Sequence, residues 1–489
     1  MGSESGNGYH VGYDEGDEEE VLDEDDGSSG DEPSKGKRKR RRRLRYGEER
    51  VCKLVSRNLL HTLVLHSLYV HRRLTVTQIH QMYAPNEHVD RIRSSVRKLS
   101  SLGLLERKRI FSLAQTIAET RTYHYNLSPQ GVRIYALACM SLNMLHEDPD
   151  LPKQTFSHSD LAIGTQTEHH FVLQSFLAEC IGRLWADGIY LPSCEWRRYL
   201  FLNHDNEALY RPDWILFYPN AFFTSLVEAG RIGEDVLSVP VLSRTDADRA
   251  ILQEHYKAAI SIECDMGTMS PKRLKEKFDR ILAEKEHIPR VVAMLVAENR
   301  LGEDVRRFSE SKVRIRNIGN TIGANLKHEV ISDELLFLVG RQTTLTDAIH
   351  AFATIKTPDK LYPLIDNLIS QRFTHSIRMG AAEWKSRKLE LGLPNTTVFD
   401  RSEGRVYGFY FAYCGWLNPQ VKAVNLIQHG AEDVTVVLVY PSVTTMQSDG
   451  HLIHHDRLRY VVYEEWVNGD YRFWQRTMDR SGERWEVGP

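Results

Sequence analysis

Between residues 165 and 340, apolar runs of strand length alternate with longer amphipathic ones, which restricts this segment to an α/β layer around a central sheet. "TEHHFVLQSFLAECIGRLWADG" has the length and period of a helix, and "EWRRYLFLN", "RPDWILFY" and "YKAAISIECD" read as strands. An irregular insertion occupies 219–250. "SPKRLKEKFDRILAEKE" is the next helix and "RVVAMLVA" a further strand; a helix near 303–312 and the apolar "DELLFLVG" close the unit. In "AISIECD" the strand period sends Ile260, Ile262 and Cys264 to one face and Ser261, Glu263 and Asp265 to the other. The two carboxylates therefore share a face, about 6.5–7 Å apart along the strand. Asp213, after Pro212, stands at a strand entrance, where a side chain can lean over the end of a sheet. Aspartate and glutamate are hard oxygen ligands suited to magnesium, which polarises a phosphodiester and generates hydroxide from water.

The N-terminal part has a different character. Residues 1–34 hold thirteen Asp and Glu and no Lys or Arg; "KGKRKRRRRLR", 35–45, follows with nine basic residues. Both segments are too polar to bury a core, so a disordered acidic tail and basic arm over 1–46 are expected. The net charge of −3 hides this split, since without the acidic tail the chain has ten more basic than acidic residues. Arg40, Arg41 and Arg42 in the arm suit phosphates.

From residue 47 the pattern is helical. "VCKLVSRNLLHTLVLHSLYV" repeats apolar residues at helical spacing, "RRLTVTQIHQMYA" offers threonine caps, and a third helix runs from about His88 to Leu102, stopped by Gly103. Its buried stripe is Val89, Ile92, Val96 and Leu99. "LLERKRI" and "RTYHYNLS" form a hairpin, and Ser128 and Pro129 open another helix. This order resembles the winged-helix DNA-binding domains of bacterial regulators. The resemblance implies that Arg91, Ser94, Ser95 and Lys98 face the major groove and that Arg93 and Arg97 flank it near phosphates. It also sets Arg107, Lys108, Arg109 and Arg121 on the wing.

The order helix, strands, "PD", "E-x-acid", lysine-bearing helix, strand resembles the PD-(D/E)XK nuclease superfamily. With the winged helix, "RPD … IECDMGT … K" is similar to the plasmid replication-relaxation family over roughly 50–340. The resemblance implies metal ligation by Asp213 and Glu263, with Asp265 as an added ligand and Glu179 as a helix carboxylate that orients water or a second ion. At 265 the superfamily's usual lysine is absent. Leu274, Phe278 and Ile281 mark the buried stripe of the 271–285 helix, and at ~100° per residue Lys277 lies about 60° from Leu274, at the sheet-facing border. Lys277 is the candidate for a migrated lysine that steadies the scissile phosphate.

The expected fold class is α/β multidomain. A winged helix-turn-helix covers 47–150, a restriction-endonuclease-like core 155–342, and an α/β or α+β region of unassigned role 345–489. Duplex DNA is the implied partner, with replication, mobilisation or defence proteins, and Mg2+ or Mn2+ is the cofactor if the site is catalytic. The alternatives are a non-catalytic DNA-binding regulator or replication accessory factor, and an assembly protein whose winged helix contacts proteins. No apolar run approaches a bilayer span, and six scattered cysteines form no CxxC pair, so a cytoplasmic protein with reduced thiols is expected. "HLIHHD", 451–456, lacks the further ligand a zinc site needs. Neither a Walker loop, a serine nucleophile elbow nor a "GxGxxG" is present.

Overall fold

The computed structural model describes residues 47–109, 123–141, 167–186, 212–216, 260–266, 269–285, 288–297, 304–354, 362–373, 375–386, 391–429, 433–449, 455–479 and 482–488. The acidic tail and basic arm, Arg121, the strand read in "EWRRYLFLN" and the insertion at 219–250 lie outside these residues. The protein is a mixed α/β structure with a two-stranded, a four-stranded and a seven-stranded sheet.

The N-terminal part begins with α1 (Glu48–Arg57), α2 (Leu59–His71), α3 (Val76–Tyr83) and α4 (Val89–Ser101). Thr75 and Gln78 form a reciprocal capping box at the start of α3, the local signal read as threonine capping. Gly103 takes a φ of 75° just after α4, a left-handed conformation that glycine adopts without penalty. The hairpin follows as β1 (Leu105–Arg109) and β2 (Tyr123–Leu127), paired Arg107↔Tyr125 and Arg109↔Tyr123. In α5 (Pro129–Ser141) the Ser128 hydroxyl accepts from Gly131 N–H at 2.9 Å. A Cβ on Gly131 would lie 2.1 Å from the Leu104 carbonyl oxygen, so glycine is required for α5 to pack against the base of the hairpin.

After α6 (Thr167–Ala186) comes the four-stranded sheet of β3 (Trp214–Leu216), β4 (Ile260–Asp265), β5 (Val291–Val296) and β6 (Leu336–Gly340), in that spatial order. Strand β3 is antiparallel to β4, whereas β4, β5 and β6 are parallel. One face packs on α7 (Pro271–Ala283) and α8 (Asp304–Asn325) through Leu274, Phe278, Ile315 and Ile318. The other face, through Trp214, Ile260, Ile262 and Cys264, joins a core that also holds Phe176 of α6 and Val64, Leu68 and Ile92 of the N-terminal helices. At this junction His71 is fully buried, stacks on Trp214 (centroids 4.8 Å apart) and meets Gln174 Oε1 at 2.5 Å through Nδ1. Burial drives the His71 pKa down to about 3, so the ring stays neutral.

After α9 (Gln342–Thr354), the seven-stranded sheet runs β13-β12-β11-β10-β9-β8-β7. Its central members are β8 (Thr396–Asp400), β9 (Arg405–Phe411), β10 (Val434–Tyr440) and β11 (Leu458–Val462), with β7 (Ser376–Arg378) at one edge and β12 (Phe473–Asp479) and β13 (Gly482–Gly488) at the other. The order β8–β11 repeats that of β3–β6: one antiparallel pair, then two parallel pairs. On the face that packs against the helix joining β9 to β10, Leu417–His429, as Glu263 and Asp265 face α7, β9 carries Val406, Gly408 and Tyr410 and no carboxylate. The sheets meet where β6 bridges Leu338 to Trp416. The buried Asn418 clamps this contact, accepting from Phe337 N–H at 2.9 Å and donating to the carbonyls of Val330 (2.9 Å) and Leu335 (2.8 Å).

The Gly131 contact gives a direct expectation. Gly131→Ala forces a methyl into a backbone carbonyl and should destabilise the protein by about 1–3 kcal/mol in urea unfolding. An unchanged midpoint would contradict the close approach of α5 to Leu104.

Candidate functional site

Strand alternation in β4 places Glu263 and Asp265 between the sheet and its covering helices. Both have no exposed surface, so they are not the solvated end of a strand. Carboxylates buried in this way need cationic partners. Ser270 caps α7 by accepting from Arg273 N–H, Pro271 opens it, and the stripe Leu274, Phe278 and Ile281 is buried. This rotation directs Lys277, 20% exposed, onto Glu263 Oε2 in an ion pair. Burial works against the Lys277 ammonium, but the charges of Glu263 and Asp213 outweigh it and raise its pKa above 10.5.

Asp213 approaches from β3. The register Trp214↔Ile262 brings the preceding residue alongside Glu263. Asp213 Oδ2 accepts from Cys264 N–H at 2.8 Å and from His169 Nε2 at 3.2 Å. Burial opposes its charged form, but His169, Lys277 and the Cys264 amide together hold the carboxyl below 3.8. His169 responds in the opposite sense: burial would lower it, but the bond to Asp213 and its charge raise it above 6.5. Burial and the charges of Asp213 and Asp265 push the Cys264 thiol up, which removes it as a thiolate nucleophile.

Asp265 belongs to a different contact. Arg314 of α8 donates through Nε to Asp265 Oδ2 at 2.5 Å and through a terminal nitrogen to the Met269 carbonyl at 2.9 Å. Asp213, Glu263 and Asp265 do not converge: among the described residues, the group of potential ligands within 4.8 Å of one another is His328, Glu329 and Glu334. There Lys285 already bridges Glu329 (3.6 Å) and Glu334 (2.7 Å). Asp265, engaged by Arg314, does not join Asp213 and Glu263 in a three-ligand group. Glu179 also stands apart, as its Oε2 accepts from Gln342 at 2.6 Å. It lies ten residues along α6 from His169, about 15 Å of helix rise. The α6 side chain that reaches Asp213 is His169, in a segment that the sequence marks only as helical.

A second candidate surface lies on α4 and the hairpin. Arg91, Arg93, Ser94, Arg97 and Lys98 are exposed, whereas Ser95, expected to face outward, is 5% exposed and part of the buried stripe. Arg91 pairs with Glu87 and Arg93 with Asp90. Such exposed pairs contribute at most about 1 kcal/mol and exchange readily for a phosphate. Arg107 and Arg109 stack over the Tyr123 ring at 5.0 and 4.5 Å, and Lys108 is exposed beside them. Burial raises the Tyr125 phenol against the pull of Arg107, Arg97 and Arg93. Arg93 and Arg97 of α4 and Arg107 and Arg109 of β1 therefore border one tyrosine-bearing surface, with Tyr123 and Tyr125 as members not foreseen from the sequence, while Lys108, opposite His124, alternates to the other face of the hairpin.

The fold so described is a mixed α/β protein in which a helix-and-hairpin unit shares a core with an acid-and-lysine-bearing sheet. Residues 65–282 match the model of the replication-relaxation family, the family that the motifs resembled. The match includes α4, the hairpin, Asp213, Glu263, Asp265 and Lys277, and stops before the seven-stranded sheet. No curated protein and no solved structure gives a match. Among the described residues no helix is long and apolar enough to cross a membrane.

The Asp213–His169 contact predicts a pH signature. Asp213 contributes stability above 3.8 that is lost as pH falls through its lowered pKa; His169 contributes below 6.5 and loses its contribution as pH rises through its raised pKa. The difference in unfolding free energy between the parent and Asp213→Asn should therefore be largest between these two values. A difference independent of pH would contradict the pair.

Proposed function

We propose that this is a DNA-binding protein acting in the replication or mobilisation of a plasmid or other mobile element. Its N-terminal unit is a winged helix that holds duplex DNA, and its four-stranded unit is a restriction-endonuclease-like core that hydrolyses a phosphodiester. The observation that carries the reading is Lys277, delivered by α7 onto Glu263 beside Asp213, which supplies from a helix the ammonium that position 265 lacks. The replication-relaxation match over 65–282 supports the biological setting.

In this reading Asp213 and Glu263 hold Mg2+ or Mn2+, which when bound supplies a Lewis acid and a hydroxide source. His169 keeps Asp213 ionised and oriented, and Lys277 offers its ammonium to the phosphate as charge develops on it. Arg314 retains Asp265 as a structural anion. Arg93, Arg97, Arg107 and Arg109 contact phosphates, while Arg91, Ser94 and Lys98 face base edges. The basic arm at Arg40–Arg42 adds sequence-independent affinity. The alternative, a non-catalytic regulator or accessory factor, is favoured by one observation: Glu263 has no exposed surface and is engaged by Lys277.

Supercoiled plasmid incubated with Mg2+ or Mn2+ separates these readings. The parent should nick DNA, and Asp213→Ala and Lys277→Met should abolish nicking while retaining DNA affinity. A parent that binds but never nicks would leave the accessory-factor reading standing. For the DNA surface, Arg97→Ala and Arg107→Ala should each weaken duplex binding and lower the salt slope by about one in fluorescence anisotropy. An unchanged slope in both would sink the winged-helix assignment.

A further inference from the structure

The two faces of the hairpin differ in chemistry. Strand alternation puts Leu105↔Leu127, Arg107↔Tyr125 and Arg109↔Tyr123 on one face, and Glu106↔Asn126 and Lys108↔His124 on the other. The second face docks in part: the His124 ring meets the Phe171 ring of α6 edge-on, centroids 4.7 Å apart, and Asn126 donates to Glu106 at 3.1 Å. The first face begins in the core at Leu105 and Leu127 and ends at the surface, where Arg107 and Arg109 are exposed and Tyr123 and Tyr125 part-exposed. Its six residues include no carboxylate.

The guanidinium carbons of Arg107 and Arg109 stand 5.0 and 4.5 Å from the centroid of the Tyr123 ring. Arg109 lies directly across the ladder from Tyr123 and Arg107 diagonally, so two cations share one ring. The strand beneath them is held from its other side by the Leu74 backbone, whose N–H donates to the Tyr125 carbonyl at 3.1 Å and whose carbonyl accepts from Tyr125 N–H at 2.8 Å. A hairpin anchored by Leu74, by the Leu105–Leu127 pair and by His124 on Phe171 does not depend on a second arginine over Tyr123.

Duplex DNA offers its phosphates to arginines but keeps the faces of its bases inside the stack. An unpaired base exposes a π-face, which stacks on an aromatic ring flanked by guanidinium groups whatever its sequence. We infer that Tyr123, with Arg107 and Arg109, is a stacking platform for an unpaired base, so that the α4–hairpin surface takes duplex DNA that adjoins a single-stranded segment. This rests on the DNA-binding reading above and narrows its ligand class. The cations of α4 and β1 meet phosphates of paired and unpaired strands alike, and Tyr123 adds the contact that tells an unpaired base from a paired one.

The test uses the full-length protein and fluorescence anisotropy with two labelled probes: a duplex with a single-stranded extension, and the same molecule with abasic sites throughout the extension. The probes carry the same phosphates and differ only in bases. The parent and Tyr123→Phe should bind the first about tenfold more tightly than the second, and Tyr123→Leu should bring that ratio to about one without changing the affinity for the abasic probe. Arg109→Lys keeps the charge without the guanidinium plane and should also lower the ratio, which carries the test if Tyr123→Leu does not fold. Lys108→Gln, on the other face, should leave the ratio as in the parent. A ratio near one in the parent, or one that Tyr123→Leu and Arg109→Lys leave intact, overturns the inference while the DNA-binding reading stands. A parent that binds neither probe removes that reading and the inference with it.

Discussion

Two carboxylates buried on one strand face are the constraint around which the central unit is built. The period of β4 leaves Glu263 and Asp265 no route to solvent, so the helices covering that face must each bring a cation: Lys277 from α7 and Arg314 from α8. A buried pair contributes little net stability against an apolar equivalent, but removing one partner costs about 3–5 kcal/mol, so the two contacts fix the orientation of the helices on the sheet. The apolar stripe of α7 and the ion pair agree on a single rotation of that helix, since only with Leu274, Phe278 and Ile281 inward does Lys277 reach Glu263. In the proposed reading, a centre held in this way would have its ammonium positioned before any phosphate arrives, which is what electrostatic catalysis requires.

The opposite face of the same sheet supports the second candidate surface. Ile260, Ile262 and Cys264 share one core with the helices that support α4 and the hairpin. The stack of His71 on Trp214 ties the end of α2 to the residue following Asp213. With His71 neutral and hydrogen-bonded to Gln174, this contact carries no charge that ordinary pH would alter. The α4–hairpin surface is thereby fixed relative to the Asp213 cluster through packing rather than through a flexible tether.

What was legible in the sequence was local. The period of two in "AISIECD" and the period of 3.6 in α7 placed Glu263, Asp265 and Lys277 on the correct faces, because each needs only its own element. Arg314 and His169 were not legible, because their partners lie 49 and 44 residues away and no local pattern selects them from their helices. Glu179 shares α6 with His169, and periodicity carries no information on which end of a long helix meets the sheet. Ser95 lies three residues after Ile92 and four before Leu99, so the helical period puts it inward, against the outward position that the winged-helix resemblance implied. The repetition of strand order between the two sheets was hidden for a related reason. Backbone pairing conserves direction and order, whereas the matching face of β9 carries Val406, Gly408 and Tyr410 in place of an acidic pair and leaves no repeated motif to find.

The central claim is that Lys277 and Glu263 form one electrostatic unit at the heart of the site. A double-mutant cycle on the folded protein, using Lys277→Met, Glu263→Gln and the combination in urea unfolding, measures it most directly. The account predicts that each single change is strongly destabilising and that the double variant is more stable than the sum of the two, by more than about 1 kcal/mol of coupling. Additive effects within about 0.5 kcal/mol would show that the two side chains act independently, and would contradict it.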